Sequence, residues 1–164
     1  MIKLKWLAVL VCFLILVQPC FAAGSAKKLL GTWKLVSLEV VWQETGEREF
    51  PFGKNPTGYI IFTPQGRMMA LLTAEGRKPA QTDKDRADLF KSMAAYACTY
   101  RVDGDKYFVK YDVAQDPAWV GLELMRLFKI EGNRLQVTTM YVPPTPQPEK
   151  KGPARSIATY ERAK

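Results

Sequence analysis

The chain has 164 residues, with 24 Lys and Arg against 16 Asp and Glu, a formal charge of +8 and no histidine. The missing histidine removes the commonest metal ligand, the Ser/His and Cys/His nucleophile pairs and the usual general base near neutral pH. No basic run exceeds two residues and acids are interspersed throughout, so the charge reads as a solvated basic surface and not as a nucleic-acid footprint.

In chain order, Met1–Lys5 is basic, Trp6–Val17 is unbroken apolar, and Gln18–Ala26 is polar and rich in small residues. That pattern predicts a secretory signal peptide over residues 1–23, with cuts after Ala22, Ala23 or Ala26 all open because Phe21 is bulky where a small residue is preferred. The apolar run falls short of the roughly 20 residues needed to cross a bilayer. An uncleaved anchor and lipidation of Cys20 are the alternatives, but Val17-Gln18-Pro19 lacks the small residues expected before a lipidated cysteine. Cleavage takes Lys3 and Lys5 with it and lowers the formal charge from +8 to +6.

The expected product is one periplasmic or secreted domain over residues 24–164, monomeric and without a membrane span, metal or cofactor. It retains a single cysteine, Cys98, which excludes an intramolecular disulfide. Lying in the strand-like Tyr96–Tyr100, Cys98 reads as a small buried hydrophobe.

From residue 30 onward short β-forming runs dominate. Leu30–Trp42 opens as a long strand, with Gly31 allowing close backbone approach and Trp33 large enough to plug a barrel end. Glu44–Glu47 is a turn and Arg48–Phe50 a short return strand before the Pro51–Pro56 loop. Gly58–Thr63 and Arg67–Leu72 flank Pro64-Gln65-Gly66 as a hairpin. Both arms are apolar at nearly every position, which predicts that both faces are covered.

Thr82–Ala95 is the predicted helix: Thr82 caps it, Asp83 and Asp85 suit its positive end, and Leu89, Phe90, Met93 and Ala94 recur at helical spacing. Tyr96–Val102 and Lys106–Val113 follow as a hairpin about Asp103-Gly104-Asp105. After the Asp116–Trp119 loop with its aromatic anchor, Gly121–Ile130 and Arg134–Val142 pair around Glu131-Gly132-Asn133. A stiff proline-rich loop, residues 143–153, precedes the last strand, Ala154–Arg162. Eight or nine short strands, one helix and short connections predict an all-β antiparallel barrel.

Several stretches then match a known pattern: Leu30–Ser37, Pro56–Ile60, Tyr96–Val113, Pro117–Gly121 with Arg126, Glu131–Leu135 and Tyr160–Arg162. In their order and spacing they resemble the bacterial and fungal lipocalin-like domain family across nearly the whole chain after the leader. The resemblance implies a small calycin-type barrel with a central cavity for an apolar small molecule. It also implies that Trp33 of the Gly-x-Trp motif stacks under Arg162 from the last strand, a structural closure without chemistry. Relatives often carry histidine within the segment that here reads Val109-Lys110-Tyr111, so no histidine-dependent activity transfers.

These residues point to an exported binder of a small, largely apolar molecule. Strand alternation offers Tyr59, Ile61, Met68, Ala70, Tyr107, Val109, Tyr111, Phe128, Val137 and Met140 as inward-facing positions. Arg126 shares a face with Leu124 and Phe128; pointing inward, it needs a partner, either Asp112 or Glu123 of the chain or a ligand carboxylate. A barrel isomerase or cyclase using Tyr107, Lys110, Tyr111, Asp112 or Glu123 for acid–base work is the enzymatic alternative. A packed envelope module without ligand is the structural one, and no catalytic residue is assigned.

Overall fold

The computed structural model describes residues 21–140 and 153–164. Nine strands make one sheet in the order β2-β1-β3-β4-β5-β6-β7-β8-β9. They run over Gly31–Trp42 (β1), Arg48–Glu49 (β2), Thr57–Phe62 (β3), Arg67–Thr73 (β4), Met93–Asp103 (β5), Lys106–Ala114 (β6), Glu123–Glu131 (β7), Arg134–Thr139 (β8) and Ala154–Arg162 (β9). Each pairs antiparallel with its neighbour, and β1 also pairs with β9 from Trp33↔Arg162 to Trp42↔Ala154, closing eight strands into a barrel with β2 appended to β1. Closure removes the free edges at which open sheets aggregate.

Among the described residues two nine-residue helices accompany the barrel, α1 (Phe21–Leu29) and α2 (Asp83–Lys91), with one 3-10 turn at Pro117–Trp119. The first helix lies where the sequence reads as a leader boundary; Lys27 and Lys28 occupy its last turn, where cations complement the helix dipole. The second begins as expected. Thr82 accepts from the Asp85 amide and Asp85 accepts from the Thr82 amide, a reciprocal capping box. It stops four residues before the expected Ala95, because Ser92 ends the helical bonding and Met93–Ala95 join the ladder to β4 instead. None of its residues is buried, so the apolar spacing at Leu89–Ala94 belongs in part to a strand. The expected leader up to Cys20 and the proline-rich loop up to Gly152 lie outside the described residues, as do Tyr141 and Val142 of the expected Arg134–Val142 strand.

The core fills the barrel, from Leu29, Trp33, Phe62 and Leu135 through Ile60, Met68, Cys98 and Val109 to Ala70, Leu72 and Tyr111. Each large side chain withdrawn from water contributes about 1.5–3 kcal/mol. Two bulges adjust the phase of inward residues, between Leu35 and Ser37 on β1 and between Ala97 and Cys98 on β5. Gly58 sits at φ +154° on β3, and a Cβ there would lie 2.3 Å from the Leu71 carbonyl oxygen, so glycine sets how closely β3 and β4 approach.

The β3–β4 hairpin corrects an expectation. Only one of its faces is covered: Ile60, Phe62, Met68, Ala70 and Leu72 are buried, whereas Tyr59, Met69 and Leu71 are exposed.

Candidate functional site

The two ends of the barrel differ. At one, Leu29 is fully buried at the C-terminus of α1, and its carbonyl accepts a hydrogen bond from Trp33 Nε1 at 2.8 Å. The Arg162 guanidinium lies 4.1 Å from the centre of the Trp33 ring. It donates to the Leu30 carbonyl at 2.9 Å and the Lys28 carbonyl at 2.7 Å. One arginine thus satisfies carbonyls that the end of α1 leaves open and supplies a cation–π contact to the plug. Gly31 leaves it room, since a Cβ there would lie 3.1 Å from an Arg162 Nη.

The other half is aromatic and polar. Tyr96 of β5 and Tyr111 of β6 pack edge-to-face with centroids 5.0 Å apart. Trp119 of the 3-10 turn lies over both, at 6.0 and 6.1 Å. Asp116 fixes that turn by accepting from the Ala118 amide at 2.9 Å. Beneath these rings is Arg126 of β7, only 8% exposed. It donates to the Tyr96 hydroxyl at 3.1 Å and to the Tyr111 hydroxyl. Its guanidinium carbon is 5.5–6.0 Å from the ring centres of Tyr96, Tyr107 and Tyr111. Two buried polar atoms in this region make no hydrogen bond among the described residues, Arg126 Nε and the Tyr107 hydroxyl.

Electrostatics makes this arrangement unusual. No ion pair among the described residues includes Arg126. The two carboxylates expected as internal partners face outward: Asp112 pairs with Arg67 at 2.5 Å and Glu123 with Lys110 at 3.1 Å. No tyrosinate takes their place at neutral pH. Burial pushes the Tyr107 phenol up to about 12 and raises Tyr111 and Tyr160 as well, with the Arg126 charge pulling the other way in each case. A buried cation costs several kcal/mol unless compensated, and hydrogen bonds to a charged group return about 1.5–3 kcal/mol each. Two phenol acceptors and three aromatic faces are what this guanidinium has in place of a carboxylate among the described residues.

The positions expected to face inward divide. Met68, Ala70, Tyr107, Val109, Tyr111, Phe128 and Val137 are buried in the barrel with Arg126. Tyr59 is not among them: it is 45% exposed and pairs with Lys34 and Leu71 on the outer wall. Ile61 shares its face, while Ile60 and Phe62 take the inward positions. Met140, just past the end of β8, is also exposed. Two residues that sequence reasoning left out of the site, Tyr96 and Trp119, are brought to Arg126 by register and by the capped turn. Their signals were the Tyr96-Cys98-Tyr100 alternation and the aromatic after Asp116-Pro117.

Lys110, Asp112 and Glu123 all lie on the outer wall, so the titratable side chains gathered around Arg126 among the described residues are tyrosines and Cys98. Cys98 is fully buried and its thiol is pushed up to about 11 by burial, which keeps it protonated and unreactive. No group of three or more metal-ligating side chains comes together among the described residues. Two open depressions of about 310 and 190 Å³ indent the wall near Leu127 and Gln136 and near Arg101 and Phe108. Neither is lined by Arg126 or its tyrosine partners, and with no buried polar group converging on them they have the character of surface relief.

Comparison with known proteins agrees with the barrel. The sequence model of the lipocalin-like domain family matches residues 30–163. Among solved structures, one described as EF1p2_mFAP2b bound to DFHBI is similar over 84% of this chain and 96% of its own, with 14% identity and a TM-score of 0.46. No curated protein matches the chain.

Proposed function

The chain belongs to the lipocalin-like domain family, and on that premise we propose that it binds a small, largely apolar molecule at the Trp119 end of its barrel. One observation carries this reading, the asymmetry of the two ends. At the Trp33 end the indole N–H is bonded and the Lys28, Leu29 and Leu30 carbonyls each accept a hydrogen bond. Toward the Trp119 end the aromatic walls meet over Arg126, whose Nε, like the Tyr107 hydroxyl, makes no hydrogen bond among the described residues. Binding sites pair apolar lining with a few convergent polar groups in this way.

The protein works outside the cytoplasm in this reading, as a periplasmic or secreted carrier whose residues 1–23 are removed on export. The basic start and the apolar Trp6–Val17 run support that. The contacts that close the barrel begin at Lys28, beyond every proposed cut. Among the described residues no helix is long and apolar enough to cross a membrane.

Native mass spectrometry of the protein purified from its own host tests both parts. The expected spectrum has an N-terminus near Gly24 and a bound species that organic extraction releases. Recovery of ligand-free protein only, with no thermal stabilisation across a panel of apolar small molecules, would overturn the binding reading. An intact Met1 in the extracytoplasmic fraction would overturn the leader.

A further inference from the structure

Resting on that binding reading, we propose that the ligand is an acid, held by its anionic group at Arg126. The guanidinium has five N–H donors in a fixed fork, and two are engaged, one by the Tyr96 hydroxyl and one by the Tyr111 hydroxyl. The Nε edge is unpartnered among the described residues while the side chain is more than nine-tenths buried. An Nε–H with an adjacent Nη–H is the geometry that takes a planar carboxylate through two parallel bonds.

The surroundings reinforce this choice. The Tyr107 hydroxyl is fully buried, makes no well-formed hydrogen bond among the described residues, and belongs to the residue that pairs directly with Arg126 across the β6–β7 ladder. The Tyr96 and Tyr111 hydroxyls accept from Arg126, so each has its own proton left to give. The phenols are protonated at neutral pH, and no carboxylate of the described residues pairs with Arg126. A neutral ligand brings no counter-charge to the guanidinium, whereas an anion supplies one and takes up the Nε edge. The flat edge-to-face walls of Tyr96, Tyr111 and Trp119 fit the apolar body of an aromatic or conjugated acid, with its carboxylate inward and its ring under Trp119.

The test compares two probes of one shape, 2-naphthoic acid and 2-naphthamide, by isothermal titration calorimetry on the protein purified from its host. The acid is expected to bind at least tenfold tighter than the amide. In Arg126→Gln the preference is expected to fall below threefold, and Arg126→Lys should keep part of it without the fork. Should Arg126→Gln fail to fold, Tyr111→Phe keeps the charge and removes one donor; it is expected to weaken the acid more than the amide and so narrow the acid-over-amide ratio. Equal binding of acid and amide by the unmodified protein would overturn the acid proposal while leaving the binding reading intact. A preference that survives in Arg126→Gln would place the anion elsewhere and also overturn it. Failure of both probes, together with the whole apolar panel, would remove the binding reading and this proposal with it.

Discussion

Trp33 and Arg126 are both large, buried and inward-facing, yet they stand in opposite energetic positions. Trp33 has every polar atom satisfied, so truncating it to alanine leaves only loss: about 3–5 kcal/mol of stability, read by urea denaturation, with no change in the acid-over-amide ratio. A Trp33→Ala protein that kept its stability and lost the ligand would show that the tryptophan lines the site. The tyrosines set a pH limit as well. Tyr107, Tyr111 and Tyr160 have phenols raised by burial, so the folded state holds protons that the unfolded chain releases from about pH 10 upward. Stability is therefore expected to be insensitive to these groups below pH 10 and to fall as pH rises toward 12, measured by denaturation midpoints across that range. A midpoint still unchanged at pH 12 would contradict the burial of the three phenols. Of the residue-level pattern, the inward face of β6 was legible because Tyr107, Val109 and Tyr111 alternate with charged or half-buried positions. The face of β3 was not: Tyr59-Ile60-Ile61-Phe62 is apolar throughout, and a period of two has no phase when both halves are hydrophobic.

Among the elements, those defined by local chemistry were legible and those defined by their partners were not. The hairpin turns at Asp103-Gly104-Asp105 and Glu131-Gly132-Asn133 and the Thr82 cap declare themselves within a few residues. The end of α2 is decided instead by β4, which recruits Met93–Ala95 into its ladder. The first helix is decided by the barrel end it covers, and its composition resembles a leader boundary. Leu29 is where α1 matters for stability: it is fully buried, and Leu29→Ala is expected to cost about 2–5 kcal/mol. Lys28→Ala, which keeps the carbonyl that Arg162 uses, should be nearly neutral; equal costs for the two would mean that α1 does not seal the barrel through its leucine. On β3, Gly58→Ala forces a Cβ against the Leu71 carbonyl and is expected to destabilise by about 1–3 kcal/mol in the same assay.

At the scale of the molecule, the closed barrel was legible from the number and spacing of strands, and the Trp33–Arg162 stack from family resemblance. The surroundings of Arg126 were not, because the two acids expected as its partners, Asp112 and Glu123, pair with Arg67 and Lys110 on the outer wall and leave Arg126 without them. That separation is a product of strand phase, and phase is fixed only when the barrel closes. Closure pairs Trp33 with Arg162, far apart in sequence, so loop-closure entropy must be met before the ladder stabilises anything. Refolding after dilution from urea is accordingly expected in the millisecond-to-second range typical of non-local β topologies, and a microsecond phase carrying the full signal would contradict it.

The pairing of β1 with β9 also determines how the protein answers to force. The start of β1 and the end of β9 are opposite one another at the Trp33↔Arg162 pair, and the two strands run antiparallel away from it. Tension applied at residues 30 and 163 therefore loads the ladder one rung at a time, as a zipper, starting at the Ala163 N–H bond to the Thr32 carbonyl and the Arg162 bond to the Leu30 carbonyl. The barrel that resists chemical opening by having no edge is, along this one axis, a seam with its pull-tab at the sealed end.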